Sequence, residues 1–321
     1  MKVTQSKSLP ADFADKERAV SIWRFALTFG LLVVLSEAIL RGVGWAQYKI
    51  GFALYEAEAP LIWVDLVAAL ANGLLSFLGL VSLFAFFEWK QLGFNDFRTR
   101  YAEGLLYGGT AISIGVALQA LAFSALRSFE IEPLLGSDDF GPLLVVFPVI
   151  YMVVIGFFEY WLHRALHDVP ILWRLHAIHH QIEGMNAARS YSHWAQDALY
   201  LAVITIPLVF LIESPQQYVA LLTTFYLVSN YYMHSDNPAL SFPPFLRHIL
   251  ADNIYHHYHH SRAVEDWGRN YCSFFSFYDR IFGTQHMPQD EKFHPTGIDG
   301  YRPLEGWRDY IVRPFTKDGA R

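Results

Sequence analysis

Twelve of the fourteen histidines fall between His163 and His260, and most of them sit in three knots. The knots are His163-x-x-x-His167, His176-x-x-His179-His180 and His256-x-x-His259-His260. Residues four apart on a helix share a face, so His163 and His167 can aim at one point. Within His176, His179 and His180 the intervals of three and four again share a face, with His180 turned roughly 100° from His179. Such a trio can send two nitrogens to one metal ion and the third to a second ion nearby. The same holds for His256, His259 and His260. His234 closes the sixth apolar segment and adds a ninth imidazole at the same depth. Nine exceed what one ion uses, since a catalytic zinc takes about three protein ligands. Two ions are the simplest reading, and an imidazole-dominated set leaves zinc, copper, iron and nickel open. His248, His257, His286 and His294 stand outside these spacings and read as core or surface residues.

The elements that must carry these knots are apolar. Hydrophobic residues make up 53% of the 321 and charged residues only 17%, a balance that turns attention to the bilayer. Windows long enough for a hydrocarbon core of about 30 Å occur at Phe25–Leu40, Leu61–Phe87, Leu105–Leu126 and Leu143–Leu162. A weaker pair, Ala198–Ile212 and Tyr218–Tyr232, reads as a hairpin with its tip at Glu213-Ser214-Pro215-Gln216. Glu37 and Asp65 fall inside two of the spans and need a partner or an interfacial position. The first 22 residues are polar and charged and resemble no signal peptide, so the mature chain is expected to start near residue 1.

Lysine and arginine gather in the N-terminal segment (Lys2, Lys7, Lys16, Arg18, Arg24) and after the second span (Lys90, Arg98, Arg100). The loops between are poorer in basic residues, which sets the N-terminus and every histidine knot on the cytoplasmic side. The expected fold is an all-α integral membrane protein of four to six transmembrane helices with a cytoplasmic histidine-rich helical cap. Residues 1–140 are read as N-terminal transmembrane helices, 141–290 as a catalytic domain with a two-metal centre, and 291–321 as a C-terminal tail. One cysteine, Cys272, excludes an internal disulfide or thiolate cluster. A net charge of −6 without a basic tract gives no reason to propose nucleic acid as a partner.

Three runs carry a family resemblance: Glu159-Tyr-Trp-Leu-His163-Arg-Ala-Leu-His167, Leu172-Trp-Arg-Leu-His176-Ala-Ile-His179-His180 and Tyr255-His256-His257-Tyr-His259-His260-Ser-Arg262. With Asn270-Tyr271 and Tyr278-Asp279-Arg280-Ile281-Phe282-Gly283-Thr284, the stretch from about Tyr151 to Thr284 resembles the fatty acid hydroxylase superfamily, also called the sterol desaturase family. The resemblance implies a membrane-bound non-haem di-iron oxygenase that attacks an unactivated C–H bond of a lipid. It implies His163, His167, His176, His179, His180, His234, His256, His259 and His260 as ligands of two Fe2+ ions. It places His193 at the pocket and Asn230 where some members carry a further ligand, so both are candidate catalytic residues. Cys272 departs from the glycine that the family often has there.

Ligating imidazoles usually donate their free N–H to an acid or a carbonyl. Glu159, one turn before His163, and Asp252, one turn before His256, are the first candidates for that role, followed by Asp197 and Asp279. The aromatic runs Phe84–Trp89 and Phe274–Tyr278 could line a lipid path, although interfacial anchoring explains them as well. No segment reads as a haem, flavin or iron–sulfur domain, so electrons must come from a separate redox partner such as a ferredoxin or cytochrome b5, with a pterin as a further option. The resemblance implies a lipid substrate such as a sterol or fatty acyl chain, and hydroxylation or desaturation as the outcome, in a bacterial inner membrane or an ER-type membrane. A membrane zinc hydrolase would need a His-Glu-x-x-His motif, and Arg164 and Ala177 follow the histidines instead. A metal transporter or sensor would spread ionisable groups along several spans rather than gather them at one surface.

Overall fold

The structure is a computed structural model and describes residues 22–89, 94–127, 129, 131–288, 290 and 292–316. Lys2, Lys7, Lys16, Arg18 and Lys90, which entered the orientation argument, lie outside the described residues. The chain is all-helical, and among the described residues strand pairing is limited to two isolated bridges, Leu135 with Ile212 and Ser261 with Thr296.

Three long helices come first: α1 (Ile22–Glu56), α2 (Leu61–Glu88) and α3 (Phe94–Leu126). α4 (Phe147–Asp168) and α5 (Pro170–His180) follow. A third arm is built from α6 (Trp194–Tyr200), a π-helical turn at Leu201–Thr205 and α7 (Ile206–Leu211), and α8 (Gln216–His234) returns from it. Three short helices close the chain: α9 (Asn253–His259), α10 (Phe277–Ile281) and α11 (Trp307–Val312). Five segments are long and apolar enough to cross a membrane: Ile22–Glu56, Leu61–Glu88, Asp96–Leu126, Ser137–Asp168 and Trp194–Leu211. α1 runs sixteen residues past the apolar window that announced it, because no proline stops the helix before Glu56 and Gly42, Gly44 and Gly51 only weaken it. α8 is not among the five, although the hairpin turn at Glu213–Pro215 is present.

The outer surface suits lipid. Trp23, Leu27, Val34, Trp45, Phe86 and Val145 are all exposed, a density that water does not tolerate on a monomer. The two acids inside the spans have partners: Glu37 binds Arg41 at 2.7 Å and accepts from Thr224 at 3.2 Å, and Asp65 pairs with Arg127 at 2.8 Å. Leu32, Leu80, Phe84, Tyr232 and Tyr255 form one buried cluster that ties α1 and α2 to α8 and α9.

Local chemistry turns the chain where the site needs it. Pro170 cannot continue α4, and the residue before a proline avoids helical geometry, so Val169 is extended (φ −102, ψ 113) and α5 starts in a new direction. Asp252 caps α9 by accepting from Tyr255 N at 2.9 Å. It also holds Arg247 at 2.7 Å in a fully buried ion pair and accepts from Phe242 N. In α3, Gly104 lets the backbone of residues 187–189 approach: a Cβ there would lie 2.4 Å from the carbonyl oxygen of Ala188. Gly104→Ala should therefore lower stability by about 1–3 kcal/mol, read as a fall in melting temperature of the detergent-purified chain. An unchanged melting curve would mean that the contact is not rigid.

Candidate metal centre

The nine histidines converge, and they divide into two groups. His163 and His167 of α4, His176 and His180 of α5 and His259 of α9 bring five nitrogens within 4.8 Å of one another. His179 of α5, His234 at the end of α8, and His256 and His260 at α9 bring four. The trios split as helical geometry demands: residues four apart stay together, and the third goes to the other group. Rings of the two groups touch, with His180 stacked on His260 at 4.1 Å between centroids.

The outward nitrogens explain the inward ones. Nδ1 of His163 lies 2.6 Å from the Tyr271 carbonyl, and Nδ1 of His176 lies 2.9 Å from Oε1 of Gln196. In the same way His179 meets the Tyr191 carbonyl, His234 the Asn230 carbonyl and His259 the Arg269 carbonyl, at 3.0, 2.6 and 2.7 Å. Those acceptors require the proton on Nδ1, which leaves Nε2 as a bare lone pair facing inward. Yet Nε2 of His163 and Nε2 of His176 are 3.0 Å apart, and those of His179 and His234 are 3.1 Å apart. Two lone pairs at that distance repel unless a cation lies between them. Nε2 of His167 and of His259 are buried with no hydrogen-bond partner. The residues fit a pair of metal ions.

Burial, followed by the neighbouring imidazoles, pushes His176, His179, His180, His256, His259 and His260 well below the usual histidine value. They are neutral near neutrality, which is the form that binds a metal.

The positions around the centre sort into distinct roles. Asp252 and Asp279 do not touch a ligand imidazole. Asp279 accepts from Tyr271 N, Cys272 N, Thr284 Oγ1 and the Tyr255 hydroxyl, at 2.8, 3.0, 2.7 and 3.1 Å, so it fixes the loop whose Tyr271 carbonyl orients His163. Cys272 is buried and free, and its N–H is one of those contacts. Asn270, at φ 57, tolerates the left-handed region that most residues avoid. Its side chain accepts from His286 N at 2.7 Å and locks the same loop. His193 belongs to neither group: Nδ1 accepts from Ala195 N, Nε2 donates to the Ile311 carbonyl, and the ring packs on Tyr310 and Phe315. The side chain of Asn230 reaches Ser190 at 3.5 Å, and its carbonyl orients His234. His286 and His294 pair with Asp266, and His257 donates to the Asn253 carbonyl. Glu159 is buried and makes no contact with His163 through its free oxygen.

Gln196 and the four carbonyl acceptors carry no sequence signal of their own. Gln196 becomes visible only once α6 is docked, three residues past the His193 cap.

Residues 148–284 match the family model described as fatty acid hydroxylase. They form a fatty acid hydroxylase domain. That stretch holds all nine histidines of the two groups, and the domain is that of an oxidoreductase. The chain is 23% identical over 291 residues to an ornithine lipid hydroxylase of Rhizobium tropici, covering 83% of this chain and 80% of that protein. It is 29% identical over 162 residues to an alkylglycerol monooxygenase of Danio rerio, covering 49% of this chain and 34% of the relative. A methylsterol monooxygenase of Aspergillus fumigatus is 30% identical over 149 residues, 44% of this chain and 47% of the relative. The chain thus spans most of the first relative and less than half of the other two. No solved structure gives a significant match.

Because the folded-state histidine values lie below the unfolded value of 6.5, the folded chain binds fewer protons than the unfolded one. Stability is therefore full above that value and is lost as pH falls through it. Chelator-treated protein should melt at progressively lower temperature between about pH 7.5 and about pH 5.5, and bound metal should oppose the loss. A melting temperature flat across that range would contradict neutral buried imidazoles.

Proposed function

We propose that this lipid oxygenase holds two ferrous ions, one in each histidine group, and hydroxylates an unactivated C–H bond of a membrane lipid. The observation that carries the reading is the pair of inward lone-pair contacts, His163 with His176 and His179 with His234, closed on the outside by carbonyl and amide acceptors. Neighbouring nitrogens stand 3.0–3.2 Å apart, closer than the roughly 3.4 Å spread of a tetrahedral zinc site. Five donors in one group also exceed what tetrahedral zinc takes. That weighs against tetrahedral zinc in the first group, and the fatty acid hydroxylase match of residues 148–284 supports iron and oxygen chemistry over hydrolysis.

Iron held by the nine imidazoles would supply the oxygen chemistry: O2, two electrons and two protons from outside would give one oxygen inserted in the C–H bond and one water. The chain's own residues orient the nine imidazoles, keep them neutral and cover them. Asp279 and Asn270 hold the closing loop against His163 and His259, and α5 brings its two ligand faces to bear after the Pro170 turn. His193 and Asn230 act in this reading by placing α6 and His234 rather than by touching the reacting atoms. Electrons come from a separate ferredoxin- or cytochrome b5-like protein. Residues 1–140 anchor the enzyme, residues 141–290 form the catalytic unit, and the centre faces the cytoplasm. The relative that covers most of this chain acts on an ornithine lipid by its name, so polar membrane lipids are the first substrates to test.

Comparative lipidomics of cells with and without the chain should reveal a lipid that gains one oxygen. His179→Ala should abolish that product, a loss of at least about a hundredfold, while the protein still inserts in the membrane. A lipid profile unchanged by the chain, or full product from the variant, would contradict the reading.

A further inference from the structure

Glu159 lies one helical turn, about 6 Å, from His163 toward the membrane, on the same stripe of α4 as both its histidine ligands. It is 3% exposed, and its Oε2 has no hydrogen-bond partner. His163 does not claim it, because both nitrogens of that ring are engaged elsewhere. Across from it, on α8, the hydroxyl of Tyr226 lies within hydrogen-bonding reach of the carboxyl group. Tyr226 is nevertheless 41% exposed, so its side chain reaches from the outer surface of α8 toward the buried carboxyl group. Tyr200 and Tyr226 each interact with both Glu159 and Asp197 of α6, and Asp197 lies against Gly115 of α3. Among the described residues neither carboxyl group has a basic partner. A buried carboxyl oxygen left without a donor is costly, at about 1–3 kcal/mol or more.

We infer that the Glu159 oxygen is completed by the substrate: the lipid enters between α4 and α8 and donates a hydrogen bond to Glu159 from a hydroxyl or amine. The donor therefore lies within a few bonds of the carbon that is attacked, since only one helical turn separates Glu159 from His163. Lipids with an ether or hydrocarbon at that place lack the anchor.

This inference deepens the lipid-oxygenase reading and rests on it. The test uses the full detergent-purified chain with 1-dodecanol and dodecyl methyl ether, a pair that differs in one donor. Retained probe is counted by mass spectrometry and corrected with empty micelles. Wild type should hold the alcohol about tenfold more tightly than the ether, the size expected for one buried hydrogen bond. Glu159→Met should reduce that preference to less than about twofold, and Glu159→Gln, which keeps an accepting oxygen, should restore most of it. No preference in wild type, or the same preference in a folded Glu159→Met chain, would overturn the inference. Iron content and oxygen-dependent lipid oxidation are read on the same preparations. If both are absent from wild type, the oxygenase reading fails; if both are present without the alcohol preference, only the Glu159 anchor fails.

Discussion

The structure depends on a conflict that only a cation resolves. Imidazoles whose outer nitrogens donate to Tyr271, Gln196, Tyr191 and Asn230 present bare lone pairs to one another at about 3 Å. Without a positive charge between them such an arrangement is unfavourable, and burial makes protonation an expensive remedy. The outer acceptors are thus as much a part of the centre as the histidines. Each fixes which nitrogen faces inward, and four of the five are main-chain carbonyls, set by the path of the backbone rather than by side-chain choice.

The rest of the fold delivers four helix ends to one place. α4 carries its ligands on its last two turns, Pro170 redirects the chain into α5, α8 ends on His234, and Asp252 starts α9 four residues before His256. The long helices α1, α2 and α3 contribute no ligand, but α1 and α2 pack on α8 and α9 through Leu32, Phe84, Tyr232 and Tyr255. α3 supports the loop that carries Tyr191 through the close approach at Gly104. These three long apolar helices thereby support a polar centre to which they contribute no ligand.

Much of this was legible in the residues. The spacing of three and four within each knot already implied that a trio serves two ions, and the structure divides His176, His179 and His180 in that way. The apolar windows located the helices but not their ends, because a helix continues past its hydrophobic stretch until a proline or a cap stops it, as α1 shows. The partners of the ligands were anticipated as carboxylates and are carbonyls and an amide instead. Carbonyl acceptors leave no trace in side-chain identity, so spacing cannot reveal them. Asp252, singled out by helical position, and Asp279, a further candidate, do serve the centre, but through a helix cap and a loop. His193 drew notice as an extra imidazole and turns out to be engaged in capping α6 and holding the Ile311 carbonyl, a role that depends on a tertiary contact 118 residues away.

The most direct measurement is X-ray absorption combined with metal quantitation on the purified chain from iron-replete cells. Two ions in the two histidine groups should give about two iron per chain, with a first shell of nitrogen and oxygen donors dominated by imidazole and no sulfur. Zinc alone, or a single four-coordinate ion per chain, would contradict the two-iron centre.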